Sequence, residues 1–147
     1  MYQPPVSDPF FAAEGQGVWA PREHQRVIAR LTGGLAPMYY QQNRIRLEPL
    51  PGTMLDESKA SLVPDLSLYN NQTEQTPVII EICHTNGLRE DLQKVIRLID
   101  ADWYGIREGF VYNYRTAQWF RYRQGDGGLT QPTSYAEVLE LDLNQFF

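Results

Sequence analysis

Apolar residues along the chain follow two different rhythms. Val27, Ile28, Leu31 and Leu35 share one helical face. That helix can begin at Pro21, whose missing N–H costs nothing in a first turn, and Gly33-Gly34 is expected to end or loosen it. A second and clearer helix runs from Gly87 to about Asp102. Leu88, Leu92, Val95, Ile96 and Ile99 form its buried stripe, and Arg89, Glu90, Gln93 and Arg97 its wet side.

Between the helices the period shortens. Arg44-Ile45-Arg46-Leu47 alternates as a half-buried strand does, and Pro49 to Gly52 breaks it. After the polar stretch from Asp56 to Ser61, Leu62 to Tyr69 reads as a second strand and Asn70 to Thr76 as a turn. Val78 to Cys83 is short, apolar and β-branched, the mark of a buried strand. Gly109 to Tyr114 and Gln118 to Arg123 form a hairpin around Arg115-Thr116-Ala117, and Gly125 to Gly128 is a loop. The tail, Tyr135 to Phe147, can dock as a short strand or a short helix. Residues 1–17 read as a Pro- and Gly-rich arm, and residues 18–147 as one domain. Helix, three strands, helix and hairpin predict an α/β (α+β) domain with a mixed central sheet flanked by helices and an added aromatic hairpin.

Composition narrows the picture. The chain has 147 residues, 42 % hydrophobic and 21 % charged, as in a globular domain. No apolar run approaches the roughly 20 residues of a membrane span. The opening residues lack the basic and apolar regions of a secretory signal, and a lone cysteine, Cys83, allows no intrachain disulfide. These features predict a cytoplasmic protein with no membrane contact. The formal net charge of −5 weighs against tight constitutive binding to DNA. It still allows an enzyme whose clustered carboxylates are offset by a bound cation.

One residue concentrates the chemistry. Glu81 lies inside the most apolar strand, and an unpaired buried carboxylate costs several kcal/mol, on the order of the penalty for any desolvated ion. It therefore needs a cation, a metal or a proton. Asp65 stands in the preceding strand, and two convergent carboxylates make a hard oxygen site for Mg²⁺ or Mn²⁺. Lys94 falls at the edge of the stripe of the second helix, where its ammonium can orient a water. Glu23 of the first helix could add a fourth charged group. Metal clamp, nucleophilic water and nearby positive charge are the parts of phosphodiester hydrolysis. A structural ion pair between Glu81 and Lys94 or an arginine is the plainer alternative. His24 is expected to be a satisfied core or rim histidine, and Cys83 a small buried hydrophobe beside Glu81. Arg121 and Arg123 interleave with Tyr112, Tyr114, Trp119 and Tyr122, as a stacking and phosphate surface would or as a hairpin with one buried aromatic row.

Pro64-Asp65, followed after a spacer by Glu81-Ile82-Cys83 in an apolar strand, resembles the PD-(D/E)XK motif. The motif lysine would fall at Cys83. In the Uma family of restriction endonucleases, which the sequence resembles from roughly Pro21 to Phe147, that lysine often comes from the following helix, here Lys94. Glu23-His24, Val63-Pro64-Asp65-Leu66, Asp91 to Lys94 and Leu141-Asp142-Leu143 carry the rest of the likeness. The resemblance implies a restriction-endonuclease-like core acting on DNA. Asp65, Glu81 and the backbone carbonyl of Ile82 would hold Mg²⁺ or Mn²⁺. Lys94 would hold the attacking water and the scissile phosphate, and Glu23 would support a second metal or orient Lys94. A catalytically inactive binding or assembly module on the same fold is the other reading, and a homodimer through the hairpin or tail a third.

Overall fold

The computed structural model describes residues 20–58 and 63–147. The arm expected over residues 1–17 lies outside them. A first helix, α1 (Arg22–Tyr40), leads into strands β1 (Glu48–Pro51), β2 (Leu66–Asn70) and β3 (Gln75–Cys83). Helix α2 (Leu88–Ala101) crosses to the hairpin β4 (Glu108–Asn113) and β5 (Gln118–Arg123). These strands form one five-stranded sheet in the order β1-β2-β3-β4-β5. All neighbours are antiparallel except β3 and β4, which run parallel with Glu81 opposite Val111. Parallel neighbours need a crossover, and α2 supplies it.

The sheet is the middle of three layers. Val78, Ile80, Ile82, Leu66, Leu68 and Phe110 pack with Val27, Leu31 and Leu35 of α1. Ile79, Cys83 and Val111 pack with Val95, Leu98 and Ile99 of α2. Successive side chains leave a strand on opposite faces, so β3, covered on both, is buried from Thr76 to Cys83. That is why its sequence is a continuous apolar run rather than an alternating one.

Three sequence expectations change. Helix α1 continues through Gly33-Gly34 and Pro37 to Tyr40. Gly34 is there for contact: a Cβ would lie 2.0 Å from the Phe146 ring of the tail. The first strand is Glu48–Pro51 rather than Arg44–Leu47. Its prolines are tolerated because β1 is a sheet edge and need not donate on its open side. Ile45 and Leu47 are still buried, from an irregular segment. Asp65 lies just before β2 rather than within it.

The tail resolves into both of its options. Tyr135–Ala136 pairs with Leu141–Asp142 as β6 and β7, and a 3-10 turn, Leu143–Phe146, follows. Phe147 stacks on Tyr112 with ring centroids 5.0 Å apart, and Tyr112 lies 4.7 Å from Trp119. The aromatic row of the hairpin is thus interior packing. Arg121 is buried too, donating to the Tyr135 carbonyl and to Gln131. The basic and aromatic hairpin is therefore not an open stacking surface. No helix among the described residues is long and apolar enough to cross a membrane.

Candidate active site

The site forms at the carboxyl end of β3, where ligands bind in open α/β sheets. Glu81 faces the α2 layer, since Ile79 and Cys83, two residues to either side, pack there. Only 4 % of the residue is exposed. Lys94, two turns into α2, reaches it with Nζ 3.2 Å from Oε1. Burial pushes the Glu81 carboxyl well above the usual range; Lys94 opposes that rise, and Asp65 and Asp91 reinforce it.

Asp65 is held from two directions. Its Oδ2 accepts the backbone N–H of Ile82 at 2.7 Å and stands 3.2 Å from Nε2 of His24. The first contact ties the start of β2 to the end of β3. The second brings in α1. Burial lowers the proton affinity of the His24 imidazole, but the hydrogen bond and charge of Asp65 outweigh it and leave the pKa raised. Protonated, His24 is a charge-assisted donor to Asp65.

Asp91 completes the cluster. One turn before Lys94, it shares that face of α2. Burial foremost, opposed by Lys94 and assisted by Asp65, pushes its carboxyl up to about 6. Glu81 thus pairs with Lys94 and Asp65 with His24, and Asp91 feels the charges of Lys94, Asp65 and His24.

The structure brings together Asp65, Glu81, Ile82 and Lys94. It does not bring Glu23 to them: that side chain is exposed and pairs with Arg26 on α1. The reason is helical geometry, because adjacent residues diverge by about 100° and His24 is the one turned inward. His24, read from the sequence as a satisfied core or rim histidine, is satisfied by Asp65, and neither it nor Asp91 was given a place in the site. Asp91 carried a signal, its i,i+3 spacing to Lys94. Cys83 lines the same layer, and burial, with the nearby carboxylates, pushes its thiol up to about 12, which disfavours the thiolate. His84 accepts the N–H of Asn86 as a local cap, apart from Cys83.

Among the described residues, no three His, Cys, Asp or Glu side chains gather closely enough to cage a metal. Mg²⁺ needs no such cage, since it keeps several waters and takes one or two carboxylates. Asp65 and Glu81, hard oxygen donors that repel one another, fit that requirement. A residue's N–H and C=O leave a strand on the same side, so the Ile82 carbonyl faces the side on which its N–H meets Asp65.

No protein-family model matches the chain, and no curated protein matches it significantly. Solved structures are similar to it. A protein from Anabaena variabilis, termed a putative nuclease belonging to DUF820, has a TM-score of 0.61 at 12 % identity over 87 % of this chain and 82 % of that one. The type IIG restriction endonuclease BpuSI has a TM-score of 0.47 at 13 % identity over 70 % of this chain and 11 % of its own. With its mixed sheet between two helices and the likeness to the first of these, the chain has a restriction-endonuclease-like α+β fold.

Proposed function

We propose that the protein is a metal-dependent nuclease that hydrolyses DNA phosphodiester bonds with an activated water. The observation that carries this is the buried Glu81 carboxylate, paired with Lys94 at 3.2 Å and crowded by Asp65 and Asp91. With Asp65 on His24 and Glu81 on Lys94, Asp91 is left without a basic partner among the described residues, and a further cation would balance the negative charge. The fold of the Anabaena variabilis protein supports the reading, as do the residues that resemble the Uma family.

Asp65, Glu81 and the Ile82 carbonyl would hold Mg²⁺ or Mn²⁺, which when bound supplies a Lewis acid and an acidified water. Lys94 orients the attacking water and balances charge on the phosphate. His24 positions Asp65, holding Oδ2 and leaving Oδ1 for the cation. Asp91, one turn before Lys94 on α2, adds negative charge beside it.

The Lys94–Glu81 contact also favours a second reading, an inactive module in which that pair is purely structural. Cleavage of supercoiled plasmid separates the two. The nuclease reading predicts nicking in Mg²⁺ or Mn²⁺ that stops in chelator and falls at least about 100-fold in Glu81→Ala and Lys94→Ala. A folded wild type that nicks no DNA, or variants that cut as well as it does, would support the module instead.

A further inference from the structure

The opposite end of β3 has the opposite charge character. Gln75 lies six residues before Glu81, about 20 Å away at ~3.3 Å per residue. It borders a cleft of about 630 Å³ that Arg44, Arg46 and Arg107 also line. Ile45 and Leu47 are buried while Arg44 and Arg46, beside them, are exposed. Arg107 is pinned across from them at the mouth of β4, where its N–H donates to the Pro77 carbonyl at 2.8 Å.

Among the described residues none of these three arginines forms an ion pair, whereas Arg26, Arg121 and Arg123 all do. Arg44 reaches only the neutral Gln42 amide, at 3.5 Å. Glu140 also lines the cleft and pairs with none of them. Three arginines around one concavity, none in an ion pair among the described residues, outweigh the Glu140 carboxylate there and favour an anion. Their planar forks match phosphate oxygens two at a time.

We propose that this cleft holds backbone phosphates of a nucleic acid. The choice of polyanion rests on the nuclease reading. The distance suits it: about 20 Å of β3 corresponds to about six base pairs at ~3.4 Å per step. One duplex could then engage the carboxylate cluster at one end of the sheet and be gripped at the other. The grip also supplies the cationic footprint that the acidic net charge hides.

The test is fluorescence anisotropy of a labelled DNA duplex, in chelator, over a salt series. Arg46→Glu with Arg107→Glu is compared with Arg30→Glu with Arg97→Glu, the same charge change on exposed positions of α1 and α2. Thermal melting confirms that each pair folds. The cleft pair should weaken binding at least about tenfold and lower the salt slope by about 2, while the control pair shifts binding less than about threefold. Equal effects from both pairs, or no duplex binding by the wild type, would overturn the proposal. So would calorimetry in which inorganic pyrophosphate binds through Arg46 and Arg107 while duplex affinity is untouched by their loss. Because no metal is present, a cleft that grips DNA in a protein that never cuts it would refute the nuclease reading and still sustain this one.

Discussion

Lys94 pairs with Glu81 and its charge also opposes the pKa rise of Asp91. Burial foremost raises the pKa of both Glu81 and Asp91; the charges of Asp65 and Asp91 raise Glu81 further, and those of Asp65 and Glu90 raise Asp91. An acid whose folded pKa exceeds its unfolded one binds more protons when folded, so its cost appears as pH rises. Stability present at pH ~4 is lost through about 6 for Asp91 and beyond that for Glu81. Lys94 opposes that loss. Replacing it by Met keeps the aliphatic stem and removes the charge. Urea unfolding of Lys94→Met should show a loss of about 2 kcal/mol at pH ~8 and little at pH ~4, where the acids are protonated. The same loss at both pH values would mean that Lys94 stabilises the chain through packing alone.

At the scale of elements, the site depends on how closely α2 lies on the sheet. Gly109 of β4 sets that distance, because a Cβ there would lie 2.5 Å from Val95 Cγ1 and 3.1 Å from Ile99 Cδ1. Gly109→Ala should therefore destabilise the protein by about 2 kcal/mol in urea unfolding. A neutral substitution would show that α2 can shift, and would loosen the argument that Lys94 is held in register. Patterns that depend on near neighbours were legible in the sequence. The stripe of α2, the apolar run of β3 and the β4–β5 hairpin all stand where their periodicity predicts. The misplaced elements depend on distant contacts. Gly33-Gly34 reads as a helix end until Phe146 is seen to pack against Gly34. Pro49 and Pro51 read as breakers until β1 is known to be a sheet edge. Propensity describes a residue and its neighbours, while tertiary packing decided both cases.

In the whole molecule, the carboxylate cluster sits at one end of β3 and the arginine cleft at the other. Half of this was legible from the residues. Glu81 announced itself as a charge in an apolar strand, and Asp65 and Lys94 follow once the strands are placed. His24 did not, because its role requires α1 to pack beside the start of β2, 41 residues away in sequence. Glu23 was the wrong choice between neighbours for a similar reason, since the sequence does not show which of two adjacent helical residues turns inward. The arginines escaped notice because Arg107 joins Arg44 and Arg46 only through the β3–β4 pairing.

The central claim is that the acids at the end of β3 await a cation. Titration calorimetry with Mn²⁺, on the wild type and on Glu81→Ala, tests it most directly. The account predicts saturable binding of about one ion per chain, abolished by the substitution. A folded wild type that takes up no Mn²⁺, even with a DNA oligomer present, would contradict it and leave Glu81 as one half of a structural ion pair with Lys94.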